Sequence, residues 1–153
     1  MADLKVLHRR KSGFSLIELL SVVVIIGVIA ALAVPALRKA TRAAENGTTF
    51  SALRTIASAQ VGYYSQNGRF GRITEINNLG GANIGANSGN DVVRGKFVIS
   101  MVPASPSNDE LKSSYTINAI RNVPSEGVIY QYEITQSGVI RQISPSCAEG
   151  FCS

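Results

Sequence analysis

Glu18 is the residue whose chemistry most needs explaining. It stands inside "FSLIELLSVVVIIGVIAALAV", a run apolar enough to enter a membrane. A charged side chain deep in a bilayer costs roughly 2.5–3.5 kcal/mol on insertion scales. A plain anchor would carry Leu there, so some partner must offset that cost. Elsewhere, groups that could do chemistry are few. The single histidine, His8, lies in the basic N-terminal segment, so the rest of the chain lacks an imidazole base. Asp109 and Glu110 are neighbours in a polar stretch and read as a solvated tip, not an acid–base pair. "GGANIG" lacks the G-x-G-x-x-G spacing and the following Lys-Ser/Thr that cradle phosphates. Asn83, Asn87, Asn90 and Asp91 offer oxygens to calcium, but one carboxylate is a thin ligand set. The chain therefore reads as a non-enzyme with no cofactor and no metal.

Two cysteines, Cys147 and Cys152, sit close to the C-terminus. Zinc wants about four ligands, and the others are missing. A disulfide is the favoured reading, with two free surface thiols as the alternative. A short bridged loop would stabilise by about 2 kcal/mol in the chain-entropy model. It would also place the tail in an oxidising compartment.

Charge is unevenly distributed. The formal net charge is +5, yet Lys5, Arg9, Arg10 and Lys11 against Asp3 leave the first thirteen residues at +3. The basic character is thus mostly that of a short N-terminal segment, which argues weakly for nucleic-acid binding. Arg38, Lys39 and Arg42 follow the apolar run. They read as lipid-headgroup contacts, with Glu45 as an intrahelical partner and DNA contact as the weaker alternative.

The elements that position these groups follow from periodicity. Phe14 to Val34 is about twenty residues of nearly unbroken apolar character, enough to cross hydrocarbon. Backbone polar groups in lipid must satisfy one another, so this run is a helix despite its Val and Ile. Pro35 removes one helical hydrogen bond. Beyond it the pattern becomes one-sided: Leu37, Ala40, Ala44, Phe50, Leu53, Ile56, Ala57, Val61 and Tyr64 mark an amphipathic stripe. "ENGTT", residues 45–49, has low helix propensity and marks where the helix would loosen. Gly68 is the expected stop. One helix over Phe14–Gln66 would measure about 80 Å, too long for a compact domain of this size. Half of it must be buried in something else.

Residues 69–95 are Gly- and Asn-rich and read as loop, with one helical turn over Thr74–Leu79. Strand-like runs cover Lys96–Val102, Ser114–Ile120, Val128–Thr135 and Val139–Ile143, the last two flanking the turn "QSG". The fold class is α+β: a long N-terminal helix packed on a small antiparallel sheet of three or four strands.

The stretch "RRKSGFSLIELLSVVVIIGVIAALAVPAL" resembles the class III signal sequence of type IV pilins and type II secretion pseudopilins. The resemblance rests on the basic leader ending in Gly13, the aromatic Phe14, the motif "FSLIE" with Glu18 in fifth place, and Pro35. It is strong over residues 9–37 and only architectural over residues 71–153. It implies that a prepilin peptidase cuts between Gly13 and Phe14 and methylates the new Phe14 amine. The subunit then waits in the bacterial inner membrane. An inner-membrane assembly platform extracts it into a helical homopolymer with the apolar segment inside. Gly27 and Pro35 stand where family members loosen the helix in the filament. Glu18 would then meet the Phe14 amine of a neighbouring subunit, since two buried charges are tolerable when paired. Pairing with its own amine, one turn away, and snorkelling at the membrane interface are the alternatives.

The implied organisation is a cleaved leader (1–13), a transmembrane and filament-core segment (14–35), an amphipathic helix (36–68), a loop (69–95), and a sheet with the Cys147–Cys152 tail (96–153). The implied role is a pilin of a surface filament serving adhesion, motility or DNA uptake, with no nucleic acid required. A periplasmic secretion pseudopilin is the alternative. An ordinary signal peptide cut after "Ala31-Leu32-Ala33" and a plain single-pass protein are weaker rivals.

Overall fold

The computed structural model describes residues 13–79, 83–124 and 127–145. Helix α1 covers Leu16–Asn67 and is assigned helical through Pro35. By contact the chain divides after Thr41 into an N-terminal unit and a headgroup beginning at Arg42. Within the N-terminal unit the helix carries its apolar side chains outward, from Leu16 to Leu37.

The headgroup is built on the second half of α1. Leu53 and Ile56 are fully buried, with Thr49 and Ala52 beside them. A short helix α2 (Ile73–Asn78) adds Ile73 and Ile76. Six antiparallel strands follow in chain order: β1 (Ala86–Ser88), β2 (Asp91–Arg94), β3 (Phe97–Met101), β4 (Thr116–Asn122), β5 (Ile129–Thr135) and β6 (Ile140–Ser144). Alternation puts Phe97, Ile99 and Met101 of β3 on the buried face, with Ile117 and Ala119 of β4 and Tyr132 and Ile134 of β5. Val98 and Ile120 pair on the other face. Phe50 of α1 reaches Tyr132 with ring centroids 4.6 Å apart, tying helix to sheet.

The α+β expectation holds, and the four strand-like runs correspond to β3–β6. The sheet has six strands, not three or four, because the supposed loop 69–95 contains α2, β1 and β2. Its asparagines supply the missing order. Asn77 Nδ2 donates to Gly85 O at 2.9 Å, and its Oδ1 accepts from the Ile84 and Gly85 amides. Asn87 Nδ2 donates to Asn78 Oδ1 at 2.8 Å. Gly85 is required at that crossing, since an added Cβ would collide with the Val93 carbonyl. Composition that reads as turn chemistry is here a side-chain network standing in for backbone bonds.

Two further expectations need correction. The helix does not loosen at residues 45–49. Thr48 and Thr49 hydroxyls both donate to the Glu45 carbonyl, and Thr49 is buried, so tertiary anchoring overrides propensity. The stripe also runs differently at its end. Val61 and Tyr64 are 69% and 41% exposed, and Gln60 is buried in their place. Gln60 takes the position because the chain returns at Gly71: Nε2 donates to Gly71 O and Oε1 accepts from Gly71 N, both at 2.8 Å. Leu37, Ala40 and Ala44 are likewise exposed. Gly68 ends α1 as expected, with φ 66° and its N–H on Tyr64 O at 2.9 Å.

A charged latch closes the junction after α1. Arg69 donates to both oxygens of Glu75 at 2.8 and 2.9 Å and lies over the Tyr63 ring. Glu75 also accepts the Arg72 amide at 2.7 Å, capping α2. The Arg69 bond is the main force holding the Glu75 carboxyl down at about 2, against the opposing effect of burial. Stability from this lowered carboxyl is present above its unfolded value near 4.5 and is lost as pH falls toward 2. After allowance for solvent screening the expected loss is about 1–2 kcal/mol. Thermal unfolding of Glu75→Gln should be correspondingly less pH-dependent between those values. An unchanged pH dependence would show that other carboxyls carry it.

Candidate processing and assembly site

Gly13 and Phe14 precede α1 and are exposed in non-helical backbone. An added Cβ at Gly13 meets nothing within 4 Å among the described residues. The helix begins on Ser15, whose carbonyl accepts the Glu18 amide at 3.1 Å and the Leu19 amide at 3.2 Å. Glu18 therefore lies in the first turn, where backbone N–H groups point toward the N-terminus and favour negative charge. It is four residues from Phe14, which lies outside the helix. A carboxylate at this end of an apolar helix is held by the dipole and available to a cation.

Around it, Leu16, Ile17 and Leu19 are 60–80% exposed, and the apolar exposure continues through Leu32. Ser21 donates its hydroxyl to Ile17 O at 2.8 Å, so this polar group is already satisfied within the helix. Among the described residues α1 is the one helix long and apolar enough to cross a membrane. So large an apolar surface is not tolerated in water and must be covered by lipid or protein. Gly27 lies mid-helix with nothing near its missing Cβ, and Pro35 lies eight residues further on inside the same helix.

Residues 8–34 match the family model for the prokaryotic N-terminal methylation motif. The chain carries a class III prepilin-type signal. The motif is characteristic of type IV pilins and pseudopilins, and it covers Gly13, Phe14, Glu18 and Gly27. No curated protein matches the chain. With this signal, the apolar helix suits membrane anchoring before assembly.

Other expected site residues fall out as follows. Cys147 and Cys152 lie outside the described residues. Arg38 and Lys39 are exposed and Arg42 is half-buried. Glu45, expected to pair with that cluster, is seen with Arg121 Nε at 2.9 Å and Lys96 Nζ at 3.9 Å. Arg121 is fully buried beneath the sheet and stacks against Tyr130. Periodicity missed it because an arginine on β4 breaks the apolar alternation of Ile117 and Ala119. The break itself was the signal. Asn87 and Asn90, weighed as calcium ligands, hydrogen-bond to Asn78 and Ser105. No group of three or more His, Cys, Asp or Glu suited to a metal occurs among the described residues.

Proposed function

We propose that this protein is a structural pilin, assembled into a type IV surface filament. The observation that carries the reading is the methylation motif over residues 8–34 on a helix whose apolar half is bare. A prepilin peptidase removes residues 1–13 and methylates the Phe14 amine. Residues 14–35 hold the subunit in the inner membrane and later line the filament core. The headgroup, residues 42–145 as described, faces outward. Glu18 offsets its own insertion cost by meeting a Phe14 amine in the assembled core, and Gly27 and Pro35 allow the intervening helix to loosen. Adhesion, motility or DNA uptake follows from the filament and not from a catalytic site.

N-terminal sequencing of the mature protein tests the processing step. Methylated Phe14 is expected; Val34 would mean ordinary signal cleavage, and the original start would mean a plain membrane anchor. Electron microscopy of sheared cell surfaces, with mass spectrometry of the main band, tests the filament. Absence of the protein from surface filaments, with retention in the periplasm, would favour a secretion pseudopilin.

The C-terminal cysteines support an oxidising destination. Alkylation without reductant should label neither Cys147 nor Cys152 in mature protein. Full labelling of both would overturn the disulfide.

A further inference from the structure

The sequence holds two Asn-Gly pairs, Asn46-Gly47 and Asn67-Gly68. Their intrinsic chemistry is the same, because glycine leaves the following amide nitrogen unhindered. The fold treats them differently. Asn46 lies deep inside α1, half-buried, with its Oδ1 shielded from solvent. The helix around it is pinned by Thr48, Thr49 and the Glu45–Arg121 pair. Asn67 is the last residue of α1 and is exposed. Gly68 follows in left-handed conformation with open space around it.

We propose that Asn67 is a site of spontaneous deamidation and that Asn46 is protected from it. The Gly68 amide nitrogen loses its proton and bonds to the Asn67 side-chain carbon. The side-chain nitrogen leaves as ammonia, closing a five-membered succinimide. Water then adds to either ring carbonyl and opens it to an aspartyl or isoaspartyl residue. Water is the only co-reactant, and no oxidant is needed. Ring closure breaks the Gly68 N–H bond to Tyr64 O and the Asn67 Nδ2 bond to Tyr63 O. Both belong to a helix end, where opening costs least. At Asn46 the same closure would require opening the middle of an anchored helix.

The product matters because of where it forms. A new carboxylate at a helix C-terminus faces the negative end of the dipole. It also stands two residues from Arg69, whose guanidinium holds Glu75 and Tyr63. Competition for Arg69 would weaken the latch between α1 and α2 in aged copies of the protein. The inference does not depend on the proposed filament.

Full-length protein in detergent, incubated at mildly alkaline pH and mapped by peptide mass spectrometry, tests it. In the folded chain Asn67 should convert at least about tenfold faster than Asn46, from the difference in local opening. The two rates should converge in guanidinium chloride. Equal rates in the folded chain would overturn the proposal. So would an intact Asn67 over a period in which the denatured chain is fully converted.

Discussion

Subunits carrying Glu18→Leu should insert and be cleaved normally, yet build almost no filament. The substitution makes the span more apolar, so insertion is not impaired. On the proposed function, what it removes is the acid that would meet the Phe14 amine of a neighbouring subunit. An unpaired charge in an apolar core costs several kcal/mol, and a polymer repeats that cost at every joint. The structure adds that Glu18 sits in the first turn of α1, in the N-terminal unit that ends at Thr41. Loss of the carboxylate therefore leaves the fold of the headgroup untouched. The variant should be expressed alone, and its membrane pool compared with sheared filament. Wild-type filament yield would defeat the assembly role and leave the carboxylate unexplained.

Glu45→Ala should destabilise the headgroup by about 2–3 kcal/mol, because it strips the carboxylate from a fully buried guanidinium. The figure is below that for an enclosed pair because Glu45 keeps 26% exposure. Lys96 loses the same partner. The double variant Glu45→Leu with Arg121→Met should recover most of the loss, since an apolar replacement of a buried pair is often neutral. Near-ultraviolet circular dichroism of the full chain in detergent, followed through thermal unfolding, reads both. A double variant less stable than Glu45→Ala would mean that Arg121 serves contacts other than Glu45.

The sequence made some parts of this molecule legible and hid others for identifiable reasons. Gly13-Phe14 and Glu18 stand out because a short motif carries them and no tertiary contact is needed to place them. Strands β3–β6 are legible because their buried faces alternate with period two. Strands β1 and β2 were hidden because they are only three and four residues long in a Gly- and Asn-rich stretch, and Asn77 and Asn78 of α2 hold Asn87 of β1 by side-chain bonds that no periodicity records. Gln60 was passed over for Val61 because hydrophobicity points to the valine. The pairing of Gln60 with Gly71, eleven residues away, decides otherwise. Glu45 was assigned to the cluster Arg38, Lys39 and Arg42 by proximity along the helix, and the structure also shows it with Arg121, 76 residues on.

The order of the strands has a kinetic meaning. Each strand of the sheet hydrogen-bonds only to its neighbours in sequence, β1 through β6. Such a meander has low contact order within the sheet, so little loop entropy is lost at each step and folding is fast. The α1 residues at the centre of the core, Leu53 and Ile56, come before any strand in the chain. A chain made from its N-terminus can therefore add each hairpin in turn to the helix that precedes it. No late strand has to thread between earlier ones. The headgroup can be complete soon after its last strand emerges, leaving little time for exposed edges to meet other chains.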